Sequence, residues 1–396
     1  MSAVPTIVLG GTGYVAGELL RLISLHPRLE LAGIMSDGSP GEPVAAAFPH
    51  LASAYAAETF KSQAQIEALL QREKQPALLA AAPHGVSAAL IDRLLTIAEQ
   101  AGNAPRVVDI SADFRFASAS AYAAVYKHPH GAPARLAQFS CAVPEHLATL
   151  RTAHVAHPGC LSTATLLAAV PLLALGLIEP QLFVAAVTGS TGSGRKPTEG
   201  THHPTRHSDL YAYSALAHRH APEIAACAQS ASGVAAQFAF VPHSGPFARG
   251  IHATVQAVLK QPLNSASLNA QLRDYYAHSP FVQVSERAPR VKEIVASNYA
   301  RLSAASDGRT VAVMSVVDNL TKGAAGGAVQ WLNRLLGFAV RDPARGPLAR
   351  PAPRLLPEGG WGTASTPSRH PASVLRPPFQ AKGFNTARLR PWPLAS

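Results

Sequence analysis

"TIVLGGTGYVAGELLRLISLHP", residues 6–27, holds three structural signals in succession. Thr6 to Leu9 form an apolar run of the length expected for a buried strand. A glycine turn follows, in which Gly11 to Ala16 satisfy G-x-G-x-x-A, with Gly10 before it and Gly17 behind it. Leu19, Leu20, Leu22 and Ile23 then mark the inner face of an amphipathic helix. "LELAGIMS" (29–36) reads as the next strand, so a β-α-β unit is complete. Glycines let the backbone approach a pyrophosphate closely, and the start of the helix offers free N–H groups and a positive dipole end. A lone glycine turn serves packing just as well. Between a strand and a helix it reads as a dinucleotide site, with Gly10, Thr12, Gly13, Tyr14 and Val15 as candidate contacts.

The same alternation continues through "ALLAAAPH" (77–84), a helix around 85–101 and "RVVDISAD" (106–113). Alternating elements of this length argue for an α/β fold with a doubly wound, parallel sheet of Rossmann type. After residue 157 the strands lengthen: "LFVAAVTGS" (182–190), "AAQFAFVPH" (235–243), "IHATVQAVL" (251–259) and "TVAVMSVVDNL" (310–320). These suit a mixed sheet in an α+β second domain. Helices are expected over 268–279 and 323–337. The domain reading is 1–157 for the dinucleotide, 158–317 for catalysis and dimerisation, and 339–396 as a Pro/Arg-rich, disordered tail.

Composition excludes several classes. Three cysteines in 396 residues are too few for a disulfide framework and point to a reducing cytosol. No basic leader precedes the first apolar run, so no signal peptide is expected. The stretch from Cys160 to Ile178 is long enough to imitate a membrane span. It carries Ser162, Thr163, Thr165, Pro171 and Gly176, and a buried helix explains it as well. The net charge of +11 has a local origin, because residues 341–396 hold eight Arg and one Lys against two carboxylates. No aromatic-basic module accompanies that charge, so neither nucleic acid nor a membrane is expected as a partner. The histidines 202, 203, 207, 218 and 220 lack partner ligands at metal spacing, and no metal is expected.

Cys160 stands between the Pro158–Gly159 break and a long apolar helix. A thiol at a helix N-terminus meets unpaired N–H groups that stabilise the thiolate and lower its pKa. Downstream of a nicotinamide site, such a thiolate points to thioester chemistry coupled to hydride transfer. That chemistry needs an acid/base and cations for an anionic substrate, and "AYSALAHRHAPEI" (212–224) supplies His218, Arg219, His220 and Glu223, "PHSGPFARGI" (242–251) His243 and Arg249, and "SADFR" Arg115. The second strand ends Met35-Ser36-Asp37-Gly38 with no basic residue nearby, which leaves NAD or NADP open and leans to NAD.

Taken in order, "GGTGYVAGELLRLISLHP", "FPHL", "APHGVS", "DISADFR", "VPE", "HPGC", "HRHAPEI", "PH…RGI" and "DNLTKGAAGGAVQWLN" resemble the N-acetyl-γ-glutamyl-phosphate reductase family, relatives of aspartate-semialdehyde dehydrogenase. The resemblance spans residues 4–338. It implies NADP(H), a catalytic Cys160 and His218, and a substrate site holding Arg115, Glu223 and Arg249. It implies cofactor contacts from Ser36, Pro83, Ser193, Gly194, Asn319 and Gly323. It also implies that a helix within 318–338 returns to the first domain, and that the enzyme is a cytoplasmic homodimer or homotetramer. The substrate would be a small acyl phosphate, with an aminoadipyl or glutamyl phosphate on a carrier protein, or aspartate semialdehyde, as alternatives. Two departures stand out: Leu161-Ser162-Thr163 follows the cysteine where the family has Tyr-Pro-Thr, and Asp37 stands where the family has Arg.

Overall fold

The structure, a computed structural model, describes residues 3–338. The tail expected over 339–396 lies outside the described residues. Six strands form the first sheet: β1 (Val4–Leu9), β2 (Leu29–Met35), β3 (Ala77–Ala80), β4 (Arg106–Asp109), β5 (Phe139–Cys141) and β6 (His154–Ala156). Their order is β2-β1-β3-β4-β6-β5, and every pairing is parallel. Helix Tyr14–Leu25 covers one face, and helices Gln63–Arg72 and Ser87–Gln100 cover the other. Coverage on both faces explains why β3 is buried at every residue and reads as an unbroken apolar run.

The second sheet contains β7 (Ile178–Thr188), β8 (Tyr211–Ala212), β9 (Gln237–Ser244), β10 (Ile251–Leu259), β11 (Val282–Val284), β12 (Ala300–Ser306) and β13 (Thr310–Val317). Its order is β11-β12-β13-β10-β7-β9-β8, and it is mixed, with β7 parallel to β9 and antiparallel to β10. Both sheets expected from the sequence are therefore present. Burial alternates along β7 because its buried face packs on helix Cys160–Ala174. Leu161 to Leu173 of that helix are buried without interruption, enclosed by the sheet and by helix His220–Ser232. This enclosure accounts for its membrane-like composition. Among the described residues no helix is long and apolar enough to cross a membrane.

The segment expected as a single helix over 323–337 departs from that reading. A π-helical turn, Thr321–Ala325, precedes helix Gly326–Leu335. The extra width fits close contacts: a Cβ on Gly323 would lie 2.6 Å from Cys160 Cβ, and one on Gly327 would lie 2.2 Å from the His157 ring. The helix packs Ala328, Val329 and Leu332 into the first sheet's core, and Trp331 donates to the Ala142 carbonyl at 2.9 Å. Lys322, fully buried, joins Glu145 at 2.5 Å and Gln330 at 2.7 Å.

Candidate active site

The glycine turn is set by close backbone approach. Gly10 has φ +95°, and a Cβ there would fall 2.4 Å from the Ala81 carbonyl oxygen. A Cβ on Gly11 would meet Met35 O and Ser36 Cβ at 2.6 Å. At Gly13, by contrast, the nearest neighbour would be 3.9 Å away. Gly13 N-caps helix Tyr14–Leu25 without a side-chain acceptor, so the first-turn N–H groups of Tyr14 and Val15 have room for an anion above them. These features fit a dinucleotide pyrophosphate. Ser36 is buried at the end of β2, Asp37 is exposed, and Pro83 is exposed beyond β3. Arg195, from the loop after β7, donates to the carbonyl of Thr12 at 3.1 Å and to that of Ala47 at 3.1 Å.

Cys160 opens its helix directly after Gly159, beside a cavity of about 350 Å³. Its wall includes Cys160, Ser193, Tyr213, His218, Arg219 and His220. Gly159 admits no side chain, since a Cβ would stand 2.5 Å from the His220 ring and 2.9 Å from Arg115 Nη1. The turn is held from behind. Gly159 N–H donates to Glu223 Oε1 at 2.7 Å, and Arg115 Nη1 donates to Glu223 Oε2 at 3.0 Å. Arg115 also donates to the carbonyls of His157 (Nε, 3.1 Å) and Ile110 (Nη2, 2.8 Å).

Electrostatics differ from the sequence expectation at the thiol. Burial pushes the Cys160 thiol above its usual range, although Arg115 and the N–H groups of Leu161 and Cys160 pull the other way. Burial wins, so the thiol needs a base to ionise it. Glu223 is also buried. Burial there favours the neutral acid, but Arg115, His220 and the Gly159 N–H overcome it and bring the carboxyl down to about 2.

The two histidines divide in a way the sequence did not show. Burial, assisted by Arg219, lowers His218 to about 4, and burial lowers His220 to about 3, so both are neutral at pH 7. His218 Nδ1 accepts the backbone N–H of His220 at 3.1 Å, so the neutral ring carries its proton on Nε2. His220 Nδ1 is buried without a partner, and its ring packs on Gly159 beside the nucleophile.

Arg249 does not line that cavity. The sequence expectation placed it on the substrate, but its guanidinium is held by Asp318 (3.0 Å from both Nε and Nη2) and Glu18 (2.6 Å from Nη1). It thereby ties helix Tyr14–Leu25 to the start of the returning segment. Asn319 accepts the Gly250 N–H at 2.8 Å and donates to Thr191 Oγ1 at 3.0 Å. Gly323 backs onto Cys160, and Gly194, at φ +86°, ends the short turn containing Ser193. Sequence reasoning named Arg219 among the candidate cations but did not assign Tyr211, Tyr213, Thr188 or Ser244 to the cavity wall. Single tyrosines and hydroxyls carry no local signal. Among the described residues no cluster of potential metal ligands occurs.

Comparison with known proteins agrees with this arrangement. The model of the semialdehyde dehydrogenase NAD binding domain matches residues 6–147, and that of the semialdehyde dehydrogenase dimerisation domain matches residues 160–319. The N-acetyl-gamma-glutamyl-phosphate reductase of Pseudomonas putida (strain W619) is 38% identical over 341 residues, covering 84% of this chain and 96% of that protein. The protein of the same name from Nitrosococcus oceani is 39% identical over 345 residues, covering 83% and 94%. Aspartate semialdehyde dehydrogenase II of Vibrio cholerae, solved in complex with ASA, shares the fold with a TM-score of 0.62 at 15% identity, covering 85% of this chain and 99% of that one. An N-terminal pyridine-nucleotide domain, a cysteine that opens a helix and these relatives together place the chain in the semialdehyde dehydrogenase family, among the N-acetyl-γ-glutamyl-phosphate reductases.

Proposed function

We propose that this oxidoreductase reduces N-acetyl-γ-glutamyl phosphate to N-acetylglutamate semialdehyde and phosphate, with NADPH, in arginine biosynthesis. The observation that carries the reading is Cys160 at a glycine-broken helix start, facing a cavity shared with His218 and His220. Cys160 attacks the acyl carbon, a C–S bond forms, the C–O bond to phosphate breaks, and phosphate leaves. The thiol proton passes to a histidine. We assign that exchange to His220, whose Nδ1 is unpartnered, and assign His218 Nε2–H to hydrogen-bond the acyl oxygen as negative charge develops there. A neutral imidazole is suited to donate in this way. A nicotinamide nucleotide held at the Gly10–Val15 turn would supply the hydride that reduces the thioester. When the C–S bond then breaks, the aldehyde departs and the proton returns to sulfur. Arg115 and Glu223 act as positioning residues, holding Gly159 from behind.

The cofactor half, in this reading, comprises 1–157 and 318–338, and the substrate half 158–317. NADP rather than NAD is supported by Ser36 at the end of β2 and by Arg195, which brings a cation to Thr12. Phe183 and Val258, large and exposed on the second sheet, support assembly into a homo-oligomer through that face. The test runs the reaction in reverse with phosphate and NADP or NAD, comparing N-acetylglutamate and aspartate semialdehydes. N-acetylglutamate semialdehyde is the expected substrate, and Cys160→Ser is expected to abolish turnover while leaving nucleotide binding intact. A variant within tenfold of wild type would remove the thioester from the mechanism.

A further inference from the structure

The substrate required by this reading carries at least two anionic groups, a carboxylate and a phosphate, yet both arginines that the family resemblance places on them are engaged. Arg115 is buried and bound to Glu223 and two carbonyls, and Arg249 is clamped between Glu18 and Asp318. A third arginine reaches the cavity. Arg219 is exposed, lies between His218 and His220 in the chain, and lines the same wall as Cys160. Among the described residues no carboxylate forms a salt bridge with it.

The guanidinium carbon of Arg219 lies 5.9 Å from the Tyr126 ring centroid, near enough for the ring face to hold the cation. Tyr126 Oη is buried and has no hydrogen-bond partner. Burying a hydroxyl that way is unfavourable unless a ligand satisfies it. The His84 ring stands 6.2 Å from the Tyr126 ring, and its Nδ1 accepts the Ala112 N–H at 2.9 Å. With Nδ1 accepting that bond, the neutral His84 ring carries its proton on Nε2. Arg219 and His84 thus both stand against the Tyr126 ring.

We propose that Arg219, seated on Tyr126, is the residue that binds an anionic group of the substrate at the mouth of the Cys160 cavity. The inference rests on the acyl-phosphate reading above. The shared chemistry is an oxyanion, and its two sources, substrate carboxylate and phosphate, separate experimentally.

The experiment measures the rate at which iodoacetamide alkylates Cys160 while inorganic phosphate or N-acetylglutamate is titrated in. Wild type, Arg219→Gln, Arg219→Lys and Tyr126→Phe are compared. In Arg219→Gln the half-protecting concentration of at least one anion is expected to rise about tenfold or more, the scale of one lost charge-assisted hydrogen bond. Arg219→Lys should recover part of the loss, and Tyr126→Phe should show a smaller loss with the same anion. A change confined to N-acetylglutamate assigns the carboxylate, and one confined to phosphate assigns the phosphoryl group. Both protection curves staying within twofold of wild type overturns the proposal, as does an absence of protection in wild type. If protection shifts as expected but wild type fails to turn over N-acetylglutamate semialdehyde, the site stands and the assignment of substrate falls.

Discussion

Glu223→Gln tests the architecture behind the nucleophile because one carboxylate holds two parts of it. Oε1 takes the N–H of Gly159, and Oε2 takes Arg115. A carboxyl held at about 2 instead of 4.5 corresponds to about 3 kcal/mol of stability at neutral pH. Leaving the Arg115 charge buried and unpaired gives a similar figure, about 3–5 kcal/mol. Urea unfolding at pH 7 should therefore show a loss of about 3 kcal/mol. The sign of the pH dependence follows from the lowered value. The stabilisation is full above the unfolded-state value of 4.5 and is lost as pH falls toward about 2, so wild type and variant should converge in acid. A second readout separates charge from packing. Arg115 pulls the Cys160 thiol down and Glu223 pushes it up, so removing the negative charge leaves Arg115 unopposed. Iodoacetamide should alkylate Cys160 faster in the variant at pH 8, even as turnover falls because Gly159 has lost its anchor. A destabilisation below about 1 kcal/mol, or slower alkylation, would refute this account of the pair.

Other changes probe the remaining parts of the site. His220→Asn should lower kcat by roughly 10²–10⁴, the usual worth of a positioned acid/base, and His218→Asn by less; steady-state assays giving the opposite order would return the proton to His218, the residue first expected from sequence. Asp37→Arg should raise NADP efficiency over NAD by about tenfold or more if Asp37 faces the ribose, and by less than threefold if its side chain turns away. A wild-type preference for NAD that this variant reverses would refute NADP. Gly323→Ala should reduce kcat about a hundredfold while leaving nucleotide affinity near wild type, because the new methyl lies against Cys160 and displaces the sulfur.

Much of this organisation was legible because the deciding residues lie close together in the chain. The glycine turn between strand and helix announces the first sheet, and β10 follows its alternating pattern over the full expected range of 251–259. Elements whose identity depends on remote partners were not legible. β5 and β6 are three residues each and exist only through parallel pairing, β6 between β4 and β5, and β5 at the sheet's edge. β12, "ARLSAAS", is poor in β-branched residues, and its strand form comes from antiparallel pairing to β13 along its whole length. The π-helical turn is equally non-local, since the side of Cys160 against which Gly323 packs belongs to a helix far back in the chain.

The site divides along the same line. "HPGC" identifies a nucleophile because breaker, helix start and thiol are adjacent, whereas an arginine's role is settled by what else reaches it. Arg115, Arg219 and Arg249 look equivalent in sequence, and only the fold shows two of them neutralised and one open to the cavity. Charge pairing therefore separates scaffold from ligand contact here. Arg115 and Arg249 are spent on the frame: one fixes the turn before Cys160, and the other fixes helix Tyr14–Leu25 to the segment that carries Gly323 to Cys160. A cation engaged in that way cannot also release a product anion at each turnover. An exposed arginine resting on a tyrosine ring can, because its alternative partner is water.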